Sequence, residues 1–218
     1  IVIIRLAQTH ARPGHGQAVG GHLETAARFC RLSDEEARLL SSPEHPIVLV
    51  EQRADSGLAT AIAPGLGHIG LMLPYTPLHH LLLKQPQTPL ALVMTSGNRS
   101  DEPICTGNDE ALRRLHGLAD FFLLHNRDIV TRVDDSVARI MDGKVRLLRR
   151  ARGYSPVPIF LRQPTKDILA CGAEMKNTFC IVRSNEAYIS QHIGELTDVA
   201  NYDFYLESID HLQTVLAV

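Results

Sequence analysis

The 218-residue sequence sets 22 Lys and Arg against 24 Asp and Glu, a formal net charge of -2, with 44% hydrophobic and 21% charged residues. That balance belongs to an ordinary soluble globular chain and makes no global electrostatic case for nucleic acid or membrane, so any anion-binding function must come from a local cluster. The four cysteines, Cys30, Cys105, Cys171 and Cys180, form no C-x-x-C pair, which argues against a zinc knuckle or disulfide framework and for reduced thiols in a cytoplasmic protein. The opening "IVIIRLAQTH" is apolar for too few residues to be a signal-peptide core or a membrane span. A start on Ile and a finish at "TVLAV" read as a piece of something longer.

"LETAARFCRLSDEEARLLSS" has helical spacing and reads as a helix pair, with Ser33 or Asp34 as N-cap and Glu36 in the first turn. "PIVLVEQR" and "IGLMLP" are short apolar strands, and Thr76-Pro77 opens a helix. "TPLALVMTS" is the next strand. "NDEALRRLHGLAD" then predicts a helix capped by Asn108, with Leu112, Leu115 and Leu118 on one covered face. "FFLLHNRDI" and "SVARIMDGKVRLLRRARGY" supply further strands, the second folded at Asp142-Gly143. Strands alternating with helices mean an α/β domain with a mixed sheet. "YSPVPIFLRQPTK", over 154–166, carries three prolines and predicts an extended linker. Beyond it, residues 167–218 read as strand, glycine turn, strand, polar turn at Ser184-Asn185, strand and amphipathic helix.

Several stretches carry chemistry. In "MTSGNRS", Thr95, Ser96, Asn98 and Ser100 follow a strand, where hydroxyls and backbone N–H groups converge on anions in open α/β sheets; a capped strand-to-helix turn is the plain alternative. "RVDDSVARI" holds Arg132, Asp134, Asp135, Ser136 and Arg139. Neighbouring aspartates alternate faces on a strand, so at most one of them serves a magnesium ion or a ribose, and a solvated, self-paired strand is the alternative for most of these residues. "KVRLLRRARGY" clusters Lys144, Arg146, Arg149, Arg150 and Arg152, whose forked guanidinium groups suit polyphosphate; a basic edge strand and an RNA footprint are the competing readings. "CGAEMKNTF" sets Lys176, Asn177 and Thr178 in a glycine-turn hairpin. His79 and His80 face different ways on a helix and read as capping or packing residues rather than metal ligands.

In this order, "IGLMLPYTPLHHLLL", "LVMTSGNRSDEPI", "FFLLHNRDIVTRVDDSVARI", "LLRRARGYSPVPI" and "LACGAEMKNTFCIVRSNEAYISQHIGEL" resemble the HypF carbamoyltransferase family of NiFe-hydrogenase maturation, over about residues 23–218. The resemblance implies a YrdC-like twisted mixed sheet with flanking helices over 1–153. Residues 167–218 would then be the opening β-hairpin and helix of an actin/Hsp70-like (ribonuclease H-like) carbamoyltransferase domain. It implies the family reaction: carbamoyl phosphate and ATP, with Mg2+, give carbamoyl adenylate, and the carbamoyl group passes to the C-terminal cysteine of HypE. Zinc and a metal of the C-terminal domain belong only to the intact parent.

By the same resemblance, Thr95, Ser96, Asn98 and Ser100 match the S-x-N-x-S loop that contacts nucleotide phosphate and the acyl group. Arg132, Arg139, Arg149 and Arg152 are the phosphate clamp, with Arg132, Arg139 and Ser136 placed at the chemistry. Asp134 or Asp135 holds ribose or magnesium, and Lys176, Asn177 and Thr178 match the phosphate hairpin of the second domain.

One stretch departs from the family pattern. In "LAQTHARPGHGQAVGGHLETAARF" only Arg12-Pro13 of the usual basic segment survives, and "HGQAVGG" has no apolar run able to pair in a sheet, so residues 1–22 read as frameshifted or misassembled, with an edge strand lost. A threonylcarbamoyl-AMP synthase of the same fold and a non-catalytic RNA-binding module are the alternatives; the attached "CGAEMKNTF" hairpin argues against the first.

Overall fold

The computed structural model describes residues 2–4, 17–20, 22–83, 91–100 and 102–217. In chain order the elements are β1 (Val2–Ile4), β2 (Gln17–Gly20), α1 (Leu23–Phe29), β3 (Cys30–Arg31), α2 (Asp34–Leu40), β4 (Ile47–Gln52), β5 (His68–Met72), α3 (Pro77–Leu83), β6 (Ala91–Met94) and α4 (Asn108–Arg114). They continue with β7 (Phe121–Leu123), β8 (Val137–Met141), β9 (Lys144–Arg149), β10 (Ile159–Phe160), β11 (Ile168–Ala170), β12 (Cys180–Arg183), β13 (Glu186–Ile189) and α5 (Val199–Leu216). Contacts divide the chain into two units, one of residues 4–95 and 135–149, the other of residues 1–3, 96–134 and 150–218.

The first unit is a mixed sheet in the order β6-β2-β5-β4-β8-β9, with β3 added to β4. β4 runs antiparallel to β5 and parallel to β8. Alternation along these strands sends Val48, Val50, Ile69, Leu71 and Ala138 to one face, where they close a core with Ala26 of α1 and Leu39 and Leu40 of α2. Ser33 caps α2 as its sequence predicts: the hydroxyl accepts from Glu36 N at 3.2 Å and the Glu36 carboxylate accepts from Ser33 N at 2.9 Å. At the β8–β9 hairpin Asp142 and Gly143 take φ of 51° and 66°, the left-handed pair that a two-residue turn with matching twist requires.

The expectation that "HGQAVGG" cannot enter a sheet is overturned. Gln17–Gly20 is an interior strand, parallel to β5 and antiparallel to β6. A strand so flanked is held by main-chain hydrogen bonds on both sides, and these do not depend on an apolar run. The predicted features that fall on residues 5–16, Arg12-Pro13 among them, lie outside the described residues.

In the second unit, β10-β13-β12-β11 form an antiparallel sheet, and β1 pairs with β7. The strand-turn-strand-turn-strand-helix pattern predicted after residue 166 is present, with Ser184 at φ 55° in the polar turn. Phe179 and Ile181 pack with Ile193, Phe204, Tyr205 and Leu212 beneath α5. The segment predicted as an extended linker opens in a hydrogen-bonded turn, Ser155 N donating to Ala151 O at 2.8 Å and Val157 N to Tyr154 O at 3.1 Å, and Ile159–Phe160 pairs with Glu186–Ala187 as the edge strand of this sheet. Two details of α4 differ from the prediction. Its N-cap is Gly107, because Glu110 reaches back to accept from Thr106 N and Gly107 N at 3.0 and 3.3 Å, leaving Asn108 in the first turn. Ala111 and Leu115 are its buried residues, whereas Leu112 and Leu118 are 40% and 41% exposed, since the helix ends at Arg114 and Leu118 lies beyond it.

Candidate nucleotide site

In the first unit the sheet's second face carries a smaller apolar cluster, Ile47 and Met72 packed with Tyr75, Leu83, Met94 and Val137, with polar side chains beside it. Period-two alternation sets Leu49 and Glu51 of β4 opposite Gly70 and His68 of β5, and Arg139 of β8 opposite Arg146 of β9. Arg139 Nη2 lies 2.9 Å from His68 Nε2; a guanidinium only donates, so the imidazole accepts through Nε2. Asp135 stands just before β8, where its carboxylate accepts from the Tyr75 hydroxyl at 3.3 Å and its carbonyl from Arg149 Nε at 2.8 Å. The Tyr75 ring is held edge-on by His79, with centroids 4.8 Å apart, and stacks near His45 at 5.9 Å. His79 therefore packs, as its sequence position predicts. Ser136 is fully buried, and its carbonyl accepts from Ile47 N at 2.8 Å, tying β8 to β4. Thr95 is exposed directly after β6.

In the second unit, Ser96, Asn98 and Ser100 share one tight loop. The Ser96 hydroxyl bonds Asn98 Oδ1, and Asn98 Nδ2 donates to the carbonyls of Arg99 and Glu102 at 2.9 and 2.8 Å. Cys105 N donates to Gly97 O at 2.9 Å across the loop's mouth. Asn98 thus acts as the staple of the loop, its amide oxygen and nitrogen both engaged by the loop's own groups. Beneath it Arg114, with a side chain 25% exposed, forks between Glu102 and Glu110, and its own carbonyl accepts from Arg99 Nε at 2.7 Å. The Glu102 hydrogen bond, ahead of the opposing burial, raises the Arg114 guanidinium above its usual range. For Glu110 burial pushes upward, but the two backbone donors and Arg114 together hold its carboxyl below the usual value.

The other predicted residues of this unit are anchored by the protein itself. Arg132 donates to Ile104 O at 3.0 Å and to Glu207 at 3.2 Å, and its guanidinium sits 5.6 Å from the Phe204 ring centre. Asp134 O accepts from Arg152 N at 3.0 Å. Arg150, from the same basic run, donates to Tyr154 O and Val157 O at 2.7 and 2.8 Å, and burial lowers its pKa. In the hairpin, Lys176 takes φ 49° and its N–H donates to Glu195 at 3.1 Å. Asn177 is 1% exposed and donates to Cys171 O and Ala173 O at 3.0 and 2.6 Å, so its amide shapes the glycine turn from inside. Thr178 is half-buried, and its carbonyl lies against Gly172.

Sequence reasoning missed Tyr75, His68 and Arg114. Strand parity in "HIGLM" and "IVLVEQ" carried a signal for His68. Tyr75 meets Asp135 60 residues away and Arg114 meets Glu102 12 residues away, which no local spacing reveals, whereas Glu110 and Arg114 stand at the helical i,i+4 spacing.

A family model described as "Telomere recombination", of the Sua5, YciO and YrdC type, matches residues 4–151, and one described as "HypF Kae1-like domain" matches residues 163–218. The carbamoyltransferase HypF2 of Cupriavidus necator is 46% identical over 215 residues, 90% of this chain and 26% of that protein. The chain belongs to the HypF family. The carbamoyltransferase HypF of Synechocystis is 48% identical over 193 residues, 88% of this chain and 25% of its own length. The chain thus spans about a quarter of the curated relatives it matches.

Among solved structures, full-length HypF in its phosphate- and nucleotide-bound form has a TM-score of 0.87 at 44% identity, covering 92% of this chain and 32% of that one. HypF from T. kodakarensis has the same TM-score at 38% identity, covering 93% of this chain and 26% of that one. P. abyssi Sua5, solved with L-threonine, reaches 0.53 at 15% identity, over 67% of this chain and 41% of that one, and shares the fold alone. The α/β, YrdC-like fold and the start of a second domain are therefore as the sequence predicted. Among the described residues no helix is long and apolar enough to cross a membrane.

Proposed function

We propose that this chain is the ATP-binding and carbamoyl-activating segment of a HypF-type carbamoyltransferase. It takes ATP with Mg2+ and carbamoyl phosphate, forms carbamoyl adenylate, and in the intact parent delivers the carbamoyl group to the C-terminal cysteine of a HypE partner. The observation that carries this reading is the likeness to HypF in a phosphate- and nucleotide-bound form, over nearly the whole chain. Water first cleaves carbamoyl phosphate to carbamate and inorganic phosphate; in the adenylation step a carbamate oxygen then attacks the α-phosphate of ATP and pyrophosphate leaves, so catalysis consists mainly of positioning and of neutralising spread charge. The Ser96–Ser100 loop, stapled through Ser96 and Asn98, suits such an anion through the backbone N–H groups it arranges. Arg139 and Arg149 offer guanidinium charge on the first unit, and the Asp135 carboxylate suits a ribose hydroxyl or the Mg2+ carried by the nucleotide. Arg132, Asp134 and Arg152 complete the proposed set, Arg132 with its guanidinium held by Ile104 O, Glu207 and the Phe204 ring.

Pyrophosphate exchange into ATP tests the assignment. Exchange that requires carbamoyl phosphate supports it. Exchange that requires threonine and bicarbonate instead contradicts it and favours the threonylcarbamoyl-AMP reading.

A further inference from the structure

Residues 96–134 fall within the stretch matched by the first family model, 4–151, and α5 within that matched by the second, 163–218, yet contacts gather both into one unit. Arg132 ties the two together. Its guanidinium rests against Phe204 and donates through Nη1 to Glu207, both on α5, while Nε donates to Ile104 O at 3.0 Å. Ile104 O belongs to the same peptide group as Cys105 N, and Cys105 N donates to Gly97 O at 2.9 Å. Gly97 O in turn shares its peptide group with Asn98 N, which donates to no group among the described residues.

One line of polar groups therefore runs from the Glu207 carboxylate through the Arg132 guanidinium and the Ile104–Cys105 peptide to the Gly97–Asn98 peptide. Each bond polarises the next. A cation at Ile104 O draws charge from that peptide and makes Cys105 N–H the stronger donor; Gly97 O, accepting from it, does the same for Asn98 N–H. The anchor is on α5: Phe204 is 6% exposed and offers the guanidinium a fixed surface, and Glu207 sets its rotation.

We propose that Arg132 is a positioning residue, held by Phe204 and Glu207 of α5 on the Ile104–Cys105 peptide, and that this contact presets the backbone N–H groups of the Ser96–Ser100 loop for a phosphate oxygen. The anion affinity of a loop in the YrdC-like stretch is thereby set by a helix of the following domain. The inference rests on the nucleotide-binding reading above for the identity of the anion, and deepens it with two residues, Phe204 and Glu207, and a route by which they act.

Hydrogen exchange of the ligand-free 218-residue chain reads the bonds, and calorimetric titration with Mg2+ and ATP reads their effect. Arg132→Met should speed exchange at Cys105, which is 2% exposed, about tenfold and weaken ATP about three- to tenfold, while the amides of β12 keep their wild-type rates. The Glu207 side chain is 66% exposed, so Glu207→Ala should keep the wild-type melting temperature. It should speed Cys105 exchange and weaken ATP about two- to threefold, and should add nothing in an Arg132→Met background. Glu207→Gln, whose amide oxygen still accepts, should restore most of the loss. A guanidinium that meets phosphate directly predicts the opposite sign, because release from Glu207 would free it for ATP. Tighter ATP binding by Glu207→Ala, or unchanged Cys105 exchange in Arg132→Met, overturns the proposal. Folded wild-type chain that binds no ATP overturns the nucleotide-binding reading, and the exchange rates then still decide whether α5 positions the loop through Arg132.

Discussion

Replacing Arg114 with Met should be among the most damaging changes that can be made to the Ser96–Ser100 loop without touching it. The guanidinium donates from Nε and Nη2 to Glu102, from Nη1 to Glu110, and from Nη2 to Pro103 O at 3.4 Å. Side-chain exposures of 25% for Arg114, 35% for Glu102 and 24% for Glu110 place the triad between a surface pair, worth under about 1 kcal/mol, and a buried one, whose breakage costs about 3–5 kcal/mol. Discounting for screening at Glu102, the loss is about 2–3 kcal/mol, because two carboxylates are left facing each other without their cation. At about 2–4 °C per kcal/mol for a chain of this size, the melting temperature should fall by about 4–12 °C. Arg114→Lys should recover only part of it, since a point charge cannot fork between both carboxylates. Differential scanning calorimetry with amide exchange at Gly97–Ser100 reads both effects. A melting temperature within about 1 °C of wild type, with unchanged exchange in the loop, would refute the reasoning.

Further outcomes follow from the same structure. Gly172→Ala should cost more than about 3 kcal/mol, because a Cβ there falls 2.0 Å from Thr178 O at a φ of 74°; a near-native denaturant midpoint would contradict this. Leu40→Ala, at 0% exposure between α2 and β4, should destabilise by about 2–5 kcal/mol in urea unfolding, with the m-value kept. Glu110 is depressed in the folded state from an ordinary value of 4.5, so its contribution is complete above pH 4.5 and is lost as pH falls through the lower folded value. A melting series through the acid range should therefore fall less steeply for Glu110→Gln than for wild type.

What the sequence made legible was whatever is encoded locally. The Ser33 capping box, the Asp142-Gly143 hairpin and the strand order after residue 166 each depend on residues within a few positions of one another, and each is present. The fold class followed from the alternation of those segments, and the family from five quoted stretches taken together. The failures have physical causes. Gln17–Gly20 looked unfit for a sheet because pattern reading weighs side chains, whereas two flanking strands satisfy its backbone. Asn108 looked like a cap by its residue type, but Glu110 reached the two N–H groups first. The amide nitrogens of Asn98 and Asn177, both candidate ligand contacts in the sequence, donate to the carbonyls of their own loops, a bond that spacing alone does not reveal. Tyr75 entered no motif because its partner Asp135 lies 60 residues on.

The central claim, a nucleotide cradle at the Ser96–Ser100 loop, is tested most directly by calorimetric titration of the 218-residue chain with Mg2+ and ATP, beside Ser96→Ala and Asn98→Ala. The account predicts saturable binding to the wild type, weakened about tenfold without the Ser96 hydroxyl and lost when Asn98 no longer staples the loop. Undiminished ATP binding by a folded Asn98→Ala chain would contradict it.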